Sequence, residues 1–328
     1  MKRICIIGGG AAGLLLLYNL EQHNLDPTCI TIVDPLHNGG DLMKKWNRVR
    51  SNTTWCQILD AVPSRKTLSP PFSELKPNEP AELLYVIQYL RECVKDFMAK
   101  TQLRTDTVAS VTQDSSTWKV TLQHGKQPII ADVVFFCQGS EPKSLDLPFP
   151  SIPLEVALDS RRLSEYVKPG QHILVFGTAH SGPLVVKHLV DLQAKVTNFY
   201  ATEKPFYFAR DGDYDGVKQD AEQIADKMAS GEFPSVTLES VHNLSAAIRA
   251  SKTADACIYA CGFEPRILQP EWKLYNGETG RIDGTSTAWG FGIAYPNKAP
   301  DGVHWDVSVP AFQAHIQKQM PDILASLQ

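Results

Sequence analysis

The chain lacks any apolar run approaching the ~20 residues that a membrane-spanning helix needs, so it does not read as a helical membrane protein. It also lacks a charge imbalance. Its 32 basic and 36 acidic residues leave a net charge of −4, which gives no electrostatic case for nucleic acid or a membrane surface as partner. Seven cysteines are present, but no C-x-x-C. Cys257 and Cys261 stand four apart in an apparent strand, on one face yet too far apart for a redox pair. An odd cysteine count without a framework points to a reducing compartment, and the cytoplasm is the expected location. A strand-like run opens directly after Met1-Lys2-Arg3, so no leader segment is expected. There is no Walker loop, no H-E-x-x-H and no G-x-S-x-G, which removes three common hydrolytic chemistries.

What is present falls into two similar halves, and 328 residues suffice for two domains with a sizeable core. Arg3–Ile7 is a short apolar run ending in glycine, the pattern of a buried parallel strand. Ala11–Leu20 follows with good helix formers, and Cys29–Pro35 is a second β-branched run, completing a β-α-β unit. From Pro80 to Met98, Leu83, Ile87, Leu90, Val94 and Phe97 give one apolar helical stripe. Strand-like pieces follow at Thr105–Thr112, Trp118–Gln123 and Asp132–Cys137, the first two read as a hairpin. The proline-rich Pro142–Pro153 reads as a crossing linker. Beyond it, "HILVFGTAHSGPLVVKHLVDLQAKVTNFY" repeats the opening grammar of strand, glycine turn, helix and strand. "ADACIYACGFEP" then parallels the earlier "ADVVFFCQGSEP".

The first glycine loop is G-x-G-x-x-G at Gly8, Gly10 and Gly13. Gly8 permits the tight turn, Gly10 lets a pyrophosphate approach the backbone, and Gly13 lets the helix pack on the strand. Ala11 and Ala12 open that helix, whose free N–H groups and partial positive charge favour phosphate. Asp34 ends the second strand, where a carboxylate can accept hydrogen bonds from a ribose diol. Asp34 suits FAD or NAD. Its place at the N-terminus, with a second loop later, favours FAD for this loop. The second loop is Gly177, Ala179 and Gly182, with Ser181 beside the last glycine. It reads as an NAD(P)H site, or as a degenerate repeat that only holds the fold. His180 adds a hydrogen bond or a charge to a phosphate, or is structural. The end of the second strand, "NFYATEKP", has no acid where the ribose of NAD would sit, which favours NADPH over NADH, with Lys204 or Arg210 as partners for a 2′-phosphate or simply surface charges. Ala209–Lys218 alternates acids but lacks the closing Glu of a calcium loop, so it reads as polar loop and no metal site is expected.

In their order and spacing these features resemble two-dinucleotide-binding-domain flavoproteins. Within that group they most resemble class B flavin-containing monooxygenases and their N-hydroxylating relatives. Asn38–Trp46 is similar to the G-G-x-W element of those enzymes through Gly40 and Trp46, with five residues between the two. "RVRSNTTW" is similar to their "SNT" element, which places the catalytic role on Asn52, beside the flavin. Gly139 and Gly262 stand where they carry A-T-G-like junctions. The resemblance implies an α/β fold of two Rossmann-like dinucleotide-binding domains. The NAD(P)-binding one (151–267) is inserted into a discontinuous FAD-binding one (1–150 and 268–328). Val108 and Gly139 are then expected at FAD. So are Gly290, Gly292 and a C-terminal helix starting near Phe312 and Gln313, with Pro310 at a first helical position. Glycine turns with a packed Trp, an Asn-Thr turn and a plain capping helix remain the bland alternatives.

Two departures accompany the resemblance. The F-x-G-x-x-x-H fingerprint that should precede the second loop is absent from "SIPLEVALDSRRL". The missing C-x-x-C separates the chain from thioredoxin reductases and disulfide reductases, which share the architecture and need a redox dithiol. The implied activity is an NAD(P)H-using FAD monooxygenase that passes one oxygen from a flavin C4a-hydroperoxide to a small amine or thioether. The alternatives are a reductase or dehydrogenase of the same fold that does not activate oxygen, or a nucleotide-binding module without turnover. The expected partners are a small-molecule substrate and O2, and the sequence leaves a homo-oligomer open.

Overall fold

The computed structural model describes residues 1–64, 66–145, 147–207, 216–266, 268, 275–282, 285–298 and 305–328. The chain divides into two compact units. One comprises Met1–Asn47, Trp55–Ser140 and Pro265–Gln328; the other comprises Arg48–Thr54 and Glu141–Glu264.

The first unit opens with β1 (Ile4–Ile7), α1 (Ala11–Gln22) and β2 (Ile30–Val33). It continues through α2 (Asp41–Lys44), α3 (Trp55–Ala61) and α4 (Leu83–Met98) to β3 (Gln102–Arg104). An antiparallel meander follows, β4 (Val108–Asp114), β5 (Thr117–Leu122) and β6 (Ile129–Ala131), and then β7 (Val133–Phe136). The chain leaves through β8 (Ser140–Pro142). The second unit carries α5 (Leu154–Ala157), α6 (Ser160–Tyr166), β9 (His172–Phe176), α7 (Ser181–Asp191) and β10 (Lys195–Tyr200). Next come α8 (Val217–Ala229), β11 (Val236–Ser240), α9 (Leu244–Ser251) and β12 (Ala256–Tyr259). β13 (Phe263–Pro265), hydrogen-bonded to β8, leads back. The first unit is completed by β14 (Ala288–Gly290), β15 (Asn297–Lys298), β16 (Trp305–Asp306) and α10 (Val309–Ser326).

In the first unit a parallel sheet has the order β14-β7-β1-β2-β3. Strand side chains alternate between faces. Ile4, Ile6, Val133 and Phe135 therefore pack with α1, α4 and α10, while Cys5, Ile7, Val134 and Phe136 pack with the meander. Both faces are covered, which is why "ICII" and "VVFF" read as unbroken apolar runs. Each such Ile, fully buried, contributes roughly 1.5–3 kcal/mol. α1 is buried almost all round, so it is apolar almost all round. Its one fully internal amide, Asn19, donates to Leu15 O at 2.7 Å and to Gln313 Oε1 of α10 at 2.8 Å. That removes the cost of burying two polar side chains in this layer.

The second unit is a parallel sheet of order β11-β10-β9-β12. Phe176 of β9 stacks on Phe199 at 5.2 Å and on Tyr259 at 5.5 Å, so three neighbouring strands share one aromatic layer. Both halves of the chain are thus parallel α/β units of Rossmann type, the second interrupting the first.

Some boundaries differ from expectation. The second strand begins at Ile30 because Pro27–Cys29 form a 3-10 turn capped by Asp26. α4 begins at Leu83, since Glu82 is still extended (ψ 145°). Cys261 lies past the end of β12, on a turn, with its thiol donating to Phe176 O at 3.3 Å.

Candidate functional site

The Gly8–Gly13 loop joins β1 to α1, and its glycines do different work. Gly8 has φ +105°, and a Cβ there would lie 2.3 Å from the carbonyl oxygen of Cys137. Gly13 faces the turn itself, since a Cβ would be 2.1 Å from Gly8 O. Both are glycines because the protein's own backbone fills the space. At Gly10 the nearest atom to such a Cβ is Gly39 O at 3.9 Å, so that space is free for a ligand. Leu14 N–H is the first amide of α1 to find a partner, Gly10 O at 3.0 Å. Among the described residues, the N–H groups of Gly10, Ala11, Ala12 and Gly13 have no acceptor and stand ready for phosphate oxygens.

Asp34 is buried beside this loop. Its carboxylate accepts from Gly9 N at 2.8 Å, Leu36 N at 2.9 Å and His37 N at 2.7 Å. It fixes the Pro35–His37 turn and still has lone pairs for a diol. Next to it, His37 has φ +50°, and both its ring nitrogens are buried without partners, as is Asn38 Oδ1. Unpaired buried polar atoms are costly. Their position beside an open phosphate cradle fits the ribose and base of a dinucleotide.

The remaining residues expected at the first cofactor divide into two groups. Gly40 (φ +68°) comes to the loop: a Cβ on it would be 3.1 Å from Gly10 Cα. Gly292 (φ +87°) comes to the start of α1, where its Cβ would be 2.7 Å from Ala12 Cβ. Gly139 (φ +73°) follows Cys137 and Gln138, whose backbone borders Gly8. Trp46 is buried at the end of α2, its amide donating to Asp41 O at 3.0 Å. The others are buried in the core. Val108 is a core residue of the meander layer. Gly290 is small because the Tyr295 ring lies against it, with a Cβ 2.3 Å from the ring. Phe312 is not at the helix start. Ser308 caps α10 through Ala311 N at 3.2 Å, Val309 is its first residue, and the Phe312 amide already donates to Ser308 O at 3.0 Å. The Phe312 side chain sits in the α-layer core.

The second loop repeats the geometry of the first. Gly177 has φ +111° and a Cβ there would be 2.2 Å from Ala260 O; at Gly182 it would be 2.2 Å from Gly177 O. Gly177 N donates to Phe199 O at 2.8 Å, as Gly8 N donates to Val33 O at 2.9 Å. This equivalence puts Tyr200 where the first unit has Asp34. Donors are fewer here. Gly182 N is taken by Ala179 O at 2.8 Å, and Pro183, in the first turn of α7, has no N–H. Ser181 starts α7 and Ala179 is exposed. His180 has its pKa lowered to about 4 by burial and by Lys218, so near neutral pH it offers a hydrogen bond and not a charge. Lys204 is exposed and Arg210 lies outside the described residues, as does most of Ala209–Lys218.

One side chain that shapes the second loop was not singled out by its sequence, and one expected site residue lies in the other unit. Asn198, fully buried, donates through Nδ2 to Val175 O at 3.0 Å and to Gly177 O at 2.9 Å, bracing the second loop from β10. Asn52 belongs to the second compact unit, not to the one carrying Gly8–Gly13. Its loop is tied to α8 through Arg50 and Asp220 at 2.7 Å and Val217 N to Ser51 O at 3.2 Å. The sequence carried no signal for the bracing by Asn198, because its partners are more than twenty positions away.

All seven cysteines are free thiols. Burial raises the pKa of Cys5 to about 12, and raises those of Cys29, Cys93, Cys137, Cys257 and Cys261. No helix among the described residues is long and apolar enough to cross a membrane.

Two glycine cradles on two parallel α/β units define a protein that holds two dinucleotides. The chain belongs to the pyridine nucleotide-disulphide oxidoreductase family, whose model matches residues 2–283. It is an FAD-dependent oxidoreductase that uses NAD(P)H. Solved structures of similar fold include a flavin-containing monooxygenase from Stenotrophomonas maltophilia (TM-score 0.66, 15% identity, covering 100% of this chain and 99% of that one). A bacillithiol disulfide reductase from Bacillus cereus is as similar (TM-score 0.66, 12% identity, 99% of each chain). So, less strongly, is a thioredoxin reductase from Lactococcus lactis (TM-score 0.60, 11% identity, 99% of this chain and 100% of that one). No curated protein sequence matches the chain.

Proposed function

We propose that the protein is an NAD(P)H-using FAD monooxygenase that delivers one oxygen atom of O2 to a small soft nucleophile, an amine or a thioether. The observation that carries this reading is the state of the thiols. A disulfide reductase passes electrons through a thiolate. Here no cysteine pair occurs as C-x-x-C, and burial pushes six of the seven thiols away from the thiolate form. Electrons must then leave the cofactor directly.

FAD, when bound, supplies the two-electron chemistry. The chain's part is to hold and orient. The amides of Gly10–Gly13 would hold the pyrophosphate and Asp34 the ribose diol, with Gly40 close to Gly10 and Gly292 close to Ala12. We assign FAD to 1–150 and 268–328 and the nicotinamide cofactor to 151–267. There the second loop, with Ser181 and a neutral His180, receives the phosphates and Asn198 keeps the loop in shape. Tyr200 in place of a carboxylate favours NADPH, since the side chain at that position does not repel a 2′-phosphate. Overall, NADPH, a proton, O2 and the substrate give NADP⁺, water and the oxygenated substrate. The absent fingerprint before the second loop, and the place of Asn52 in the second unit, favour the other reading, a reductase or dehydrogenase that leaves oxygen alone.

Oxygen uptake measured beside NADPH oxidation tests the proposal. Stimulation of both, one for one, by an amine or thioether supports it. NADPH oxidation that rises with the substrate while oxygen stays constant overturns it.

A further inference from the structure

In the first unit one guanidinium joins three segments that the sequence keeps far apart. Arg266 Nη2 lies 2.6 Å from Asp41 Oδ2. Arg266 Nη1 donates to Gln138 O at 3.1 Å, and its backbone N donates to Gly139 O at 3.1 Å. Its carbonyl accepts from Gln138 Nε2 at 2.7 Å. Asp41 is the first residue of α2, directly after Gly39 and Gly40. That glycine pair is the part of the chain pressed on Gly10.

Two successive glycines at φ +107° and +68° make a turn with little conformational preference of its own. Its cap, Gly40, has no side chain to hold α2. Something outside the turn must fix it. Besides Arg266, the cation near Asp41 among the described residues is Lys45, at 3.9 Å and one turn along the same helix, which cannot anchor the turn to anything else. Arg266 can, because its planar fork bonds the carboxylate and a backbone carbonyl at once, which a lysine cannot do. The pair is only a quarter to a third exposed, so solvent screens it incompletely.

We propose that Arg266 is a positioning residue for the cofactor. Through its ion pair with Asp41 it holds the Gly39–Gly40 turn closed on the Gly8–Gly13 loop, and it thereby sets how long the dinucleotide stays bound. This rests on the reading that FAD occupies the first loop.

The test is the FAD release rate, followed by the rise in flavin fluorescence, for the wild type, Asp41→Asn, Arg266→Ala and the double variant, with apo-protein melting beside it. Asp41→Asn leaves the backbone contacts of Arg266 in place and carries the test if Arg266→Ala does not fold. The expected result is release about tenfold faster in each single variant, with the apo melting temperature almost unchanged in Asp41→Asn. The double variant should be no faster than the singles, because the two side chains act as one pair. Added salt should speed release from the wild type more than from Asp41→Asn. Release at the wild-type rate from Asp41→Asn, or single effects that add in the double variant, overturns the proposal. A wild type that takes up no FAD overturns the reading of the first loop, and this proposal with it.

Discussion

Replacing Gly10 by alanine separates the space the protein fills from the space it leaves. In the structure a methyl at Gly10 meets nothing closer than Gly39 O at 3.9 Å, and the backbone (φ −78°, ψ −166°) is extended and suits alanine. As the N-cap of α1, alanine costs about 0.5–1 kcal/mol relative to residues that cap better. Stiffening the unfolded chain returns about 0.4–1 kcal/mol. The apo protein should therefore melt close to the wild type. The FAD complex should not be spared if the pyrophosphate passes over Gly10, as proposed, because the methyl would stand in its way. Overpacking of that kind costs about 1–3 kcal/mol, or roughly 5- to 150-fold in affinity. Gly13→Ala is the control: its methyl would lie 2.1 Å from Gly8 O inside the fold, so it should lower apo stability before any cofactor is added. Titration of apo protein with FAD, read by flavin fluorescence, together with thermal melting, gives both numbers. Wild-type affinity in Gly10→Ala would refute a cofactor path over Gly10. Equal melting losses in both variants would refute the open space.

Other outcomes follow from the same geometry. Asp34→Asn removes the charge that accepts from Gly9, Leu36 and His37, and it should cost about 1.5–3 kcal/mol in a denaturant titration besides weakening FAD. Serine at Cys29, Cys56, Cys93 and Cys261 together, the four incompletely buried thiols, should leave NADPH oxidation within about twofold of wild type; loss of turnover would show a thiol in the electron path. Stability should also depend on pH. His180 and His315 titrate near 4 in the fold against 6.5 when unfolded, because burial disfavours the charged rings. Between those values the unfolded chain holds more protons, so stability falls as pH drops from 6.5 towards 4. His315→Gln should flatten that slope in urea titrations at several pH values, and an unchanged slope would remove His315 from the account.

Much of this was legible in the sequence where a short-range rule applied. Apolar runs ending in glycine marked β1 and β9, because strands covered on both faces carry no polar alternation. Gly8, Gly13, Gly177 and Gly182 were readable because each lies within a few residues of the turn it permits. Asp34 followed from its place at the end of β2. The rest needed contacts across long separations. Tyr200 is identified as the counterpart of Asp34 only by the hydrogen bonds of Gly177 and Gly8 to the neighbouring strands. Asn198 is an ordinary strand residue until β9 is laid beside it. Arg266 and Asp41 are 225 positions apart. Phe312 was displaced by one turn because the capping hydroxyl of Ser308 sets the start of α10.

In the proposed reaction electrons pass from NADPH to bound FAD and on to molecular oxygen, without a protein dithiol. Turnover of the FAD-loaded enzyme with NADPH under isotopically heavy oxygen gas, over a panel of amines and thioethers, tests it most directly. The expected product carries one heavy oxygen atom, with one NADPH oxidised for each. NADPH oxidised at the same rate with the gas excluded, and no heavy atom in any product, would contradict it.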